Sequence, residues 1–285
     1  NVPENIRTII DTLFVKNAKK SLDKLNLRHR HYMKSEKYKG EIHFSTGSNT
    51  ARSSSNFYAL NNGIATLFEI RGVGIGKTSF KRRINSGLAV GFSFLKTAYE
   101  NSNFILNQID IAKTYTNDIV LEHKRSIYTD VIKAIDIESN ELIDFSTTMH
   151  SSKDSYAISK RDRPIAYVIK KNNYGFIEKL NDVGVNYVEF EKDTMIYSGS
   201  YKVVQYNNNF KVYEKMKMQK VVTVIEYSDN IFSRGDILIS MNQKRSNLIA
   251  ELLEPEAPNS YVSFGIIKTS LNRKLPIYRI KNFNN

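Results

Sequence analysis

Near residue 110 the hydrophobic periodicity changes, and that break limits the possible folds more than any other feature of the sequence. Before it, apolar residues recur at helical spacing. After Pro3 they fall at Ile6, Ile9, Ile10, Leu13, Phe14 and Ala18, and later at Phe80, Ile84, Leu88, Phe92 and Leu95. A compact apolar run between them, "GIATLFEI", is bounded by glycines and predicts a buried strand. The polar stretch from about Asn26 to Asn56, with "STGSNTARSSSN" inside it, predicts an exposed loop. After the break come short runs heavy in Val, Ile and Tyr, such as "PIAYVIKK", "SYKVVQY", "FKVYEKM" and "KVVTVIEY". Many alternate apolar with polar residues, as half-buried strands do. One stretch, "GFIEKLNDVG", predicts a short helix capped by Gly184. An α/β fold in the first part and a β-rich second part built on an antiparallel sheet follow.

Composition narrows the function classes. With 41% hydrophobic and 25% charged residues, the 285-residue chain is expected to form a packed core. No apolar run approaches the roughly 20 residues that span a bilayer. Cysteine is absent, which removes disulfides and thiolate chemistry. The net charge of +13 invites a polyanion partner, but the cations are spread along the chain, and the tightest clusters are only Lys81–Arg83 and Lys160–Arg163. Nucleic acid is therefore not expected as a partner. The first residue is Asn1 and no signal peptide is seen, so the natural start is expected upstream.

The stretch "FEIRGVGIGKTSFKRR" looks at first like a phosphate loop. A P-loop needs glycine five residues before its Gly-Lys-Thr, yet Arg71 stands there. The dinucleotide fingerprint also fails, because Gly76 follows Gly74 one residue too early. The more informative residue is Glu69, an acid between Phe68 and Ile70 at the end of an apolar run. It is either a strand-end carboxylate turned to solvent or paired with Arg71, or a functional acid at the carboxyl edge of an α/β sheet. In the second case it faces a cleft, and the glycines behind it leave room for a substrate.

"TLFEIRGVGIGKTSFKRR" resembles the late segment of the zinc carboxypeptidase family, especially its bacterial branch. The preceding "STGSNTARSSSNFYALNNGIA" resembles that family's loop and lead-in strand. "FSRGDILISMNQKRSNLIAELLEPEAPNSYVSFGI" and "KLPIYRI" resemble the accessory C-terminal domain of some members. The resemblance implies the closing part of a carboxypeptidase-like α/β/α domain over residues 1–110 and a β-rich accessory domain over residues 111–285. It implies hydrolysis of a C-terminal peptide or related amide bond. Glu69 would be the catalytic general base and proton donor, with Arg71 orienting it or binding substrate, and Arg52 capturing a substrate carboxylate.

One departure qualifies this expectation. The family holds zinc with a His-x-x-Glu pair and a second histidine, whereas the residues three after His29, His31, His43, His123 and His150 are Tyr32, Lys34, Thr46, Ser126 and Lys153. Either zinc is expected in an intact enzyme with its ligands upstream of this chain, the N-terminal part of the same polypeptide then being an expected partner beside a peptide substrate, or the chain is a degenerate, metal-free member of the family. His29 and His31 alternate as a strand would, but the adjacent Arg28 and Arg30 oppose a metal. The competing expectation is a non-catalytic module that binds a polymer or peptide through exposed tyrosines.

Overall fold

The structure is a computed structural model that describes residues 1–282, apart from the side chains of Val73, Ile75, Asn173 and Tyr174. The N-terminal helix forms as predicted, as α1 (Glu4–Ile9), a π-helical turn (Ile10–Val15) and α2 (Lys16–Asp23). Its periodic residues Ile6, Ile9, Phe14, Ala18 and Leu22 are buried. Thr12 Oγ1 donates to the Thr8 carbonyl at 2.7 Å, a local contact that competes with the helical ladder at the π turn.

The predicted loop over 26–56 is a correction. It contains β1 (Met33–Tyr38), β2 (Glu41–Thr46) and the start of α3 (Ser54–Leu60). Lys39 and Gly40 both take positive φ, at 50° and 90°, and make the two-residue turn whose twist matches a hairpin. Helices α4 (Phe80–Glu100) and α5 (Ser102–Lys113) complete the helical layer. The predicted spacing of α4 is therefore correct.

Beyond residue 113 the chain is mainly sheet. Strands β3 (Ile119–Ile135) and β4 (Leu142–Arg161) form a long antiparallel hairpin. β4 also pairs in parallel with β2, from His43 with Thr148 to Thr46 with Ser151. The first sheet, in the order β1-β2-β4-β3, so takes strands from both sides of residue 110.

The second sheet is antiparallel throughout. It contains β5 (Ala166–Ile169), β6 (Val188–Glu189), β7 (Thr194–Tyr213), β8 (Met216–Phe232), β9 (Ile237–Ser240) and β10 (Lys274–Ile280), in the order β6-β9-β5-β10-β7-β8. Helix α6 (Tyr174–Asp182) ends before Gly184, whose φ of 68° suits the predicted cap. Helix α7 (Ser246–Leu253) lies in the core with Ile249, Ala250 and Leu253 fully buried.

The "ELLEPEAPNS" segment holds this second core together through a buried carboxylate. Glu254 is fully buried. It accepts hydrogen bonds from Arg161 Nη1 at 2.6 Å, Tyr167 Oη at 2.6 Å and Tyr201 Oη at 2.8 Å. Glu256 takes Arg161 a second time, at 2.8 and 3.0 Å, and accepts from the Thr223 amide and hydroxyl. Burial, and next the Glu254 carboxylate, push both tyrosine hydroxyls well above their ordinary pKa.

Candidate functional site

Residues 61–83 carry the candidate site, and their course is set by local packing. After α3, Gly63 turns the chain close to the Tyr58 carbonyl, 2.9 Å from where a Cβ would stand. Residues 64–70 then follow the helical layer without regular secondary structure. Ile64 packs on the cluster of Ile9, Phe14 and Ile105. Phe68 meets Phe94 of α4 edge-on, with ring centroids 5.2 Å apart. Leu67 and Glu69, between and beyond them, are exposed.

The segment 64–70 is not a strand. Among the described residues these seven make no backbone–backbone hydrogen bond and join neither sheet. This corrects the predicted buried strand. Ile64 and Phe68 are packed against the helices, but a strand also needs a neighbour for its ladder.

The glycines that follow serve the turn. Gly72 has φ 134°, and a Cβ there would lie 2.8 Å from Ser79 Cβ and 2.9 Å from Arg83 Cδ. The Ser79 hydroxyl closes the turn by donating to the Gly72 carbonyl at 2.7 Å. A 3₁₀ segment (Val73–Ser79) leads from there into α4.

The predicted site residues are not brought together. Glu69 is exposed, has no side-chain partner among the described residues and lines neither of the two open pockets described below. Its exposure is what the solvent-facing reading of the sequence expects. Arg71 is also exposed, and no ion pair joins it to Glu69; its carbonyl accepts from Arg82 Nη2 at 3.2 Å. Arg52 lies elsewhere, paired with Glu214 at the tip of the β7–β8 hairpin. Its guanidinium stacks 4.8 Å from the Tyr213 ring centroid and 5.0 Å from that of Phe264. It fastens the loop before α3 to the hairpin, a role the sequence did not reveal.

Zinc is tested by the histidines present. His43 Nδ1 and His150 Nε2 hydrogen-bond each other at 3.0 Å, so these nitrogens face one another and not a common ion. His29 Nε2 lies 2.8 Å from Asp23, and His31 Nε2 lies 3.2 Å from Lys19 Nζ. His31 and Lys19 contribute with Lys16, Lys20 and Lys153 to an open, basic pocket of about 470 Å³. Burial, then Lys19 and Lys153, hold the His31 pKa below its ordinary value. The second pocket, about 700 Å³, lies between Lys171, Glu189 and Arg234. Among the described residues no three His, Asp or Glu side chains are grouped to hold a metal ion, so they do not fit a zinc site. No helix of the described chain is long and apolar enough to cross a membrane.

Comparison with known proteins adds what the local geometry does not. The chain is 28% identical over 291 aligned positions to carboxypeptidase 2 of Trichophyton equinum, and 29% over 292 to that of Trichophyton rubrum. Each match covers 99% of this chain and 53% of the relative. A probable carboxypeptidase 2 of Arthroderma benhamiae is 27% identical over 264 positions, 89% of this chain and 49% of its own length. These relatives are fungal, so they support the carboxypeptidase resemblance without its bacterial branch. The chain spans about half the length of the curated relatives it matches. No family profile matches the chain and no solved structure is significantly similar to it. Across nearly all of its residues, the chain is similar to proteins named carboxypeptidase 2.

Proposed function

We propose that this chain is part of a carboxypeptidase-type hydrolase, which cleaves the C-terminal peptide bond, or a related amide bond, of a peptide. The observation that carries the reading is the 27–29% identity to proteins named carboxypeptidase 2, sustained over 89–99% of the chain. In this reading Glu69 takes a proton from the water that attacks the amide carbonyl. As the carbon–nitrogen bond breaks, the same carboxyl returns a proton to the leaving amine. Arg71 has no side-chain partner among the described residues, and its planar guanidinium suits a substrate carboxylate. Arg52 would have to leave Glu214, Tyr213 and Phe264 to do the same. The zinc that the resemblance implies has no fitting ligand set here. Its ligands are assigned to residues outside this chain, and no step above is routed through it. The proposed division near residue 110 falls within α5 (Ser102–Lys113), and the first sheet takes strands from both sides of it.

Glu69→Gln in the longest polypeptide the gene encodes tests the assignment. Loss of a positioned base is expected to lower kcat by about 10² to 10⁴. Hydrolysis at the wild-type rate would reject Glu69 as the base.

A further inference from the structure

Helix α4 has two apolar faces, and only one is covered. One side packs inward through Phe94, which meets Phe14 and Phe68, and through buried Ser93 and Thr97, the latter bonded to Asn17 at 3.1 Å. On the other side Phe80, Ile84, Leu88, Phe92, Leu95 and Tyr99 follow each other at spacings of four, four, four, three and four residues. All are exposed, Phe92 by 67% and Leu95 by 69%. A row of six large apolar side chains on one helix far exceeds the scattered exposure of a finished surface.

The segment 64–70 borders this face. Ile70 lies 3.6 Å from where a Cβ on Gly87 would stand, so the segment runs beside the exposed row, and Leu67 adds to it. Its backbone donors and acceptors have no partners among the described residues, and Thr66 Oγ1 is buried without one. An exposed apolar helix face beside a segment whose backbone is unpaired among the described residues fits one kind of occupant. That occupant is a β-sheet whose edge strand pairs with 64–70 and whose apolar face covers α4. The first turn of α4 carries Lys81, Arg82 and Arg83 with no carboxylate partner among the described residues, which favours acidic groups on the occupant's rim.

We infer that this face is the docking surface for a sheet-bearing segment equivalent to the half of the curated relatives' length that this chain does not span. The inference rests on the carboxypeptidase reading for the identity of that segment. Docking would place a sheet edge directly beside the exposed Glu69 and so enclose it.

The absence of cysteine allows a direct test. Leu88→Cys and Leu95→Cys are introduced singly into the 285-residue chain and into the complete product of its gene, with Val212→Cys on the β7–β8 hairpin as an exposed control. Maleimide labelling is followed peptide by peptide, and amide exchange over 66–70 is measured in the unsubstituted proteins. In the 285-residue chain both sites are expected to label like the control. In the complete product they are expected to label at least about tenfold more slowly, with amides 66–70 protected and the control unchanged. Equal labelling and exchange in the two forms, including the case of a gene product no longer than 285 residues, would overturn the inference. So would shielding in the 285-residue chain that grows with its concentration, since a second copy would then be the occupant. A shielded face in a protein whose hydrolysis survives Glu69→Gln removes the catalytic role but keeps the docking surface. Lost hydrolysis with an unshielded face does the reverse.

Discussion

Replacing Glu254 with Gln is the perturbation that most directly probes what holds the second part together. The carboxylate accepts from Arg161, Tyr167 and Tyr201 at 2.6–2.8 Å with no water in reach, because its side chain is fully buried. An amide of the same shape keeps one acceptor oxygen for the tyrosines but turns an NH2 group toward Arg161 Nη1, donor against donor. Breaking one side of a buried ion pair costs about 3–5 kcal/mol. Glu256 still holds Arg161 and is partly solvated, which puts the loss near the lower end, about 3 kcal/mol. For a chain of this size that corresponds to a drop in Tm of about 6–12 °C. Urea unfolding followed by circular dichroism, combined with Arg161→Met in a double-mutant cycle, measures both the loss and the coupling. A coupling of about 1–3 kcal/mol is expected, so the double variant should be more stable than the two single losses predict. A Glu254→Gln protein within about 0.5 kcal/mol of the parent, or strict additivity with Arg161→Met, would refute the argument.

Two further outcomes follow from the same structure. Tyr167 and Tyr201 are held neutral in the folded state by burial and by Glu254, whereas unfolded tyrosines ionise near pH 10. The unfolded state therefore binds fewer protons above that pH, and stability present below it should fall by about 1.4 kcal/mol per pH unit for each tyrosine. Denaturant midpoints measured between pH 9 and 11 should show this slope, and Tyr201→Phe should flatten it; an unchanged slope in that variant would count against the assignment. Gly72→Ala should destabilise by about 1–3 kcal/mol, since φ 134° is unsuited to an L side chain and the new methyl meets Ser79 Cβ at 2.8 Å. A thermal melt checks this, and an unshifted Tm would mean that the turn before α4 relaxes without cost.

What the sequence made legible and what it hid divide along physical lines. The N-terminal helix was readable because Ile6, Ile9, Phe14 and Ala18 carry its period and are buried by it. The tyrosine- and valine-rich second part was readable as sheet because its alternation reflects two differently solvated faces. Strands β1 and β2 were hidden because most of their residues are exposed and polar, leaving no hydrophobic period to see; only Lys39-Gly40 marks the hairpin, and it lies in a stretch crowded with turn-forming residues. The Arg161–Glu254 network could have been suspected from acids set in the apolar run "LLEPEAP", but its partners are 93 and 53 residues away, beyond any local pattern. Arg52 is the same kind of case. Its residue type is visible, whereas its stacking on Tyr213 and Phe264 arises only from the fold.

Residues 64–70 show why the candidate site was read one way and is built another. The sequence encodes one-sided burial, and the structure supplies it, with Ile64 and Phe68 directed into the helical layer. It does not encode the ladder, because backbone pairing needs a neighbour and the amino acids of one strand do not specify where that neighbour comes from. The same distinction governs the chemistry of Glu69. A carboxylate in open water competes with that water for every proton and holds no substrate in place. It becomes a catalyst only when a surrounding surface excludes solvent and fixes the reacting bond within about 3–3.5 Å. The exposed row on α4 and the unpaired segment beside it are adjacent to Glu69, so whatever satisfies the first two also decides the third. Under the proposed function, folding and catalysis in this region are one question, because the contact that would complete the sheet is the contact that would enclose the acid.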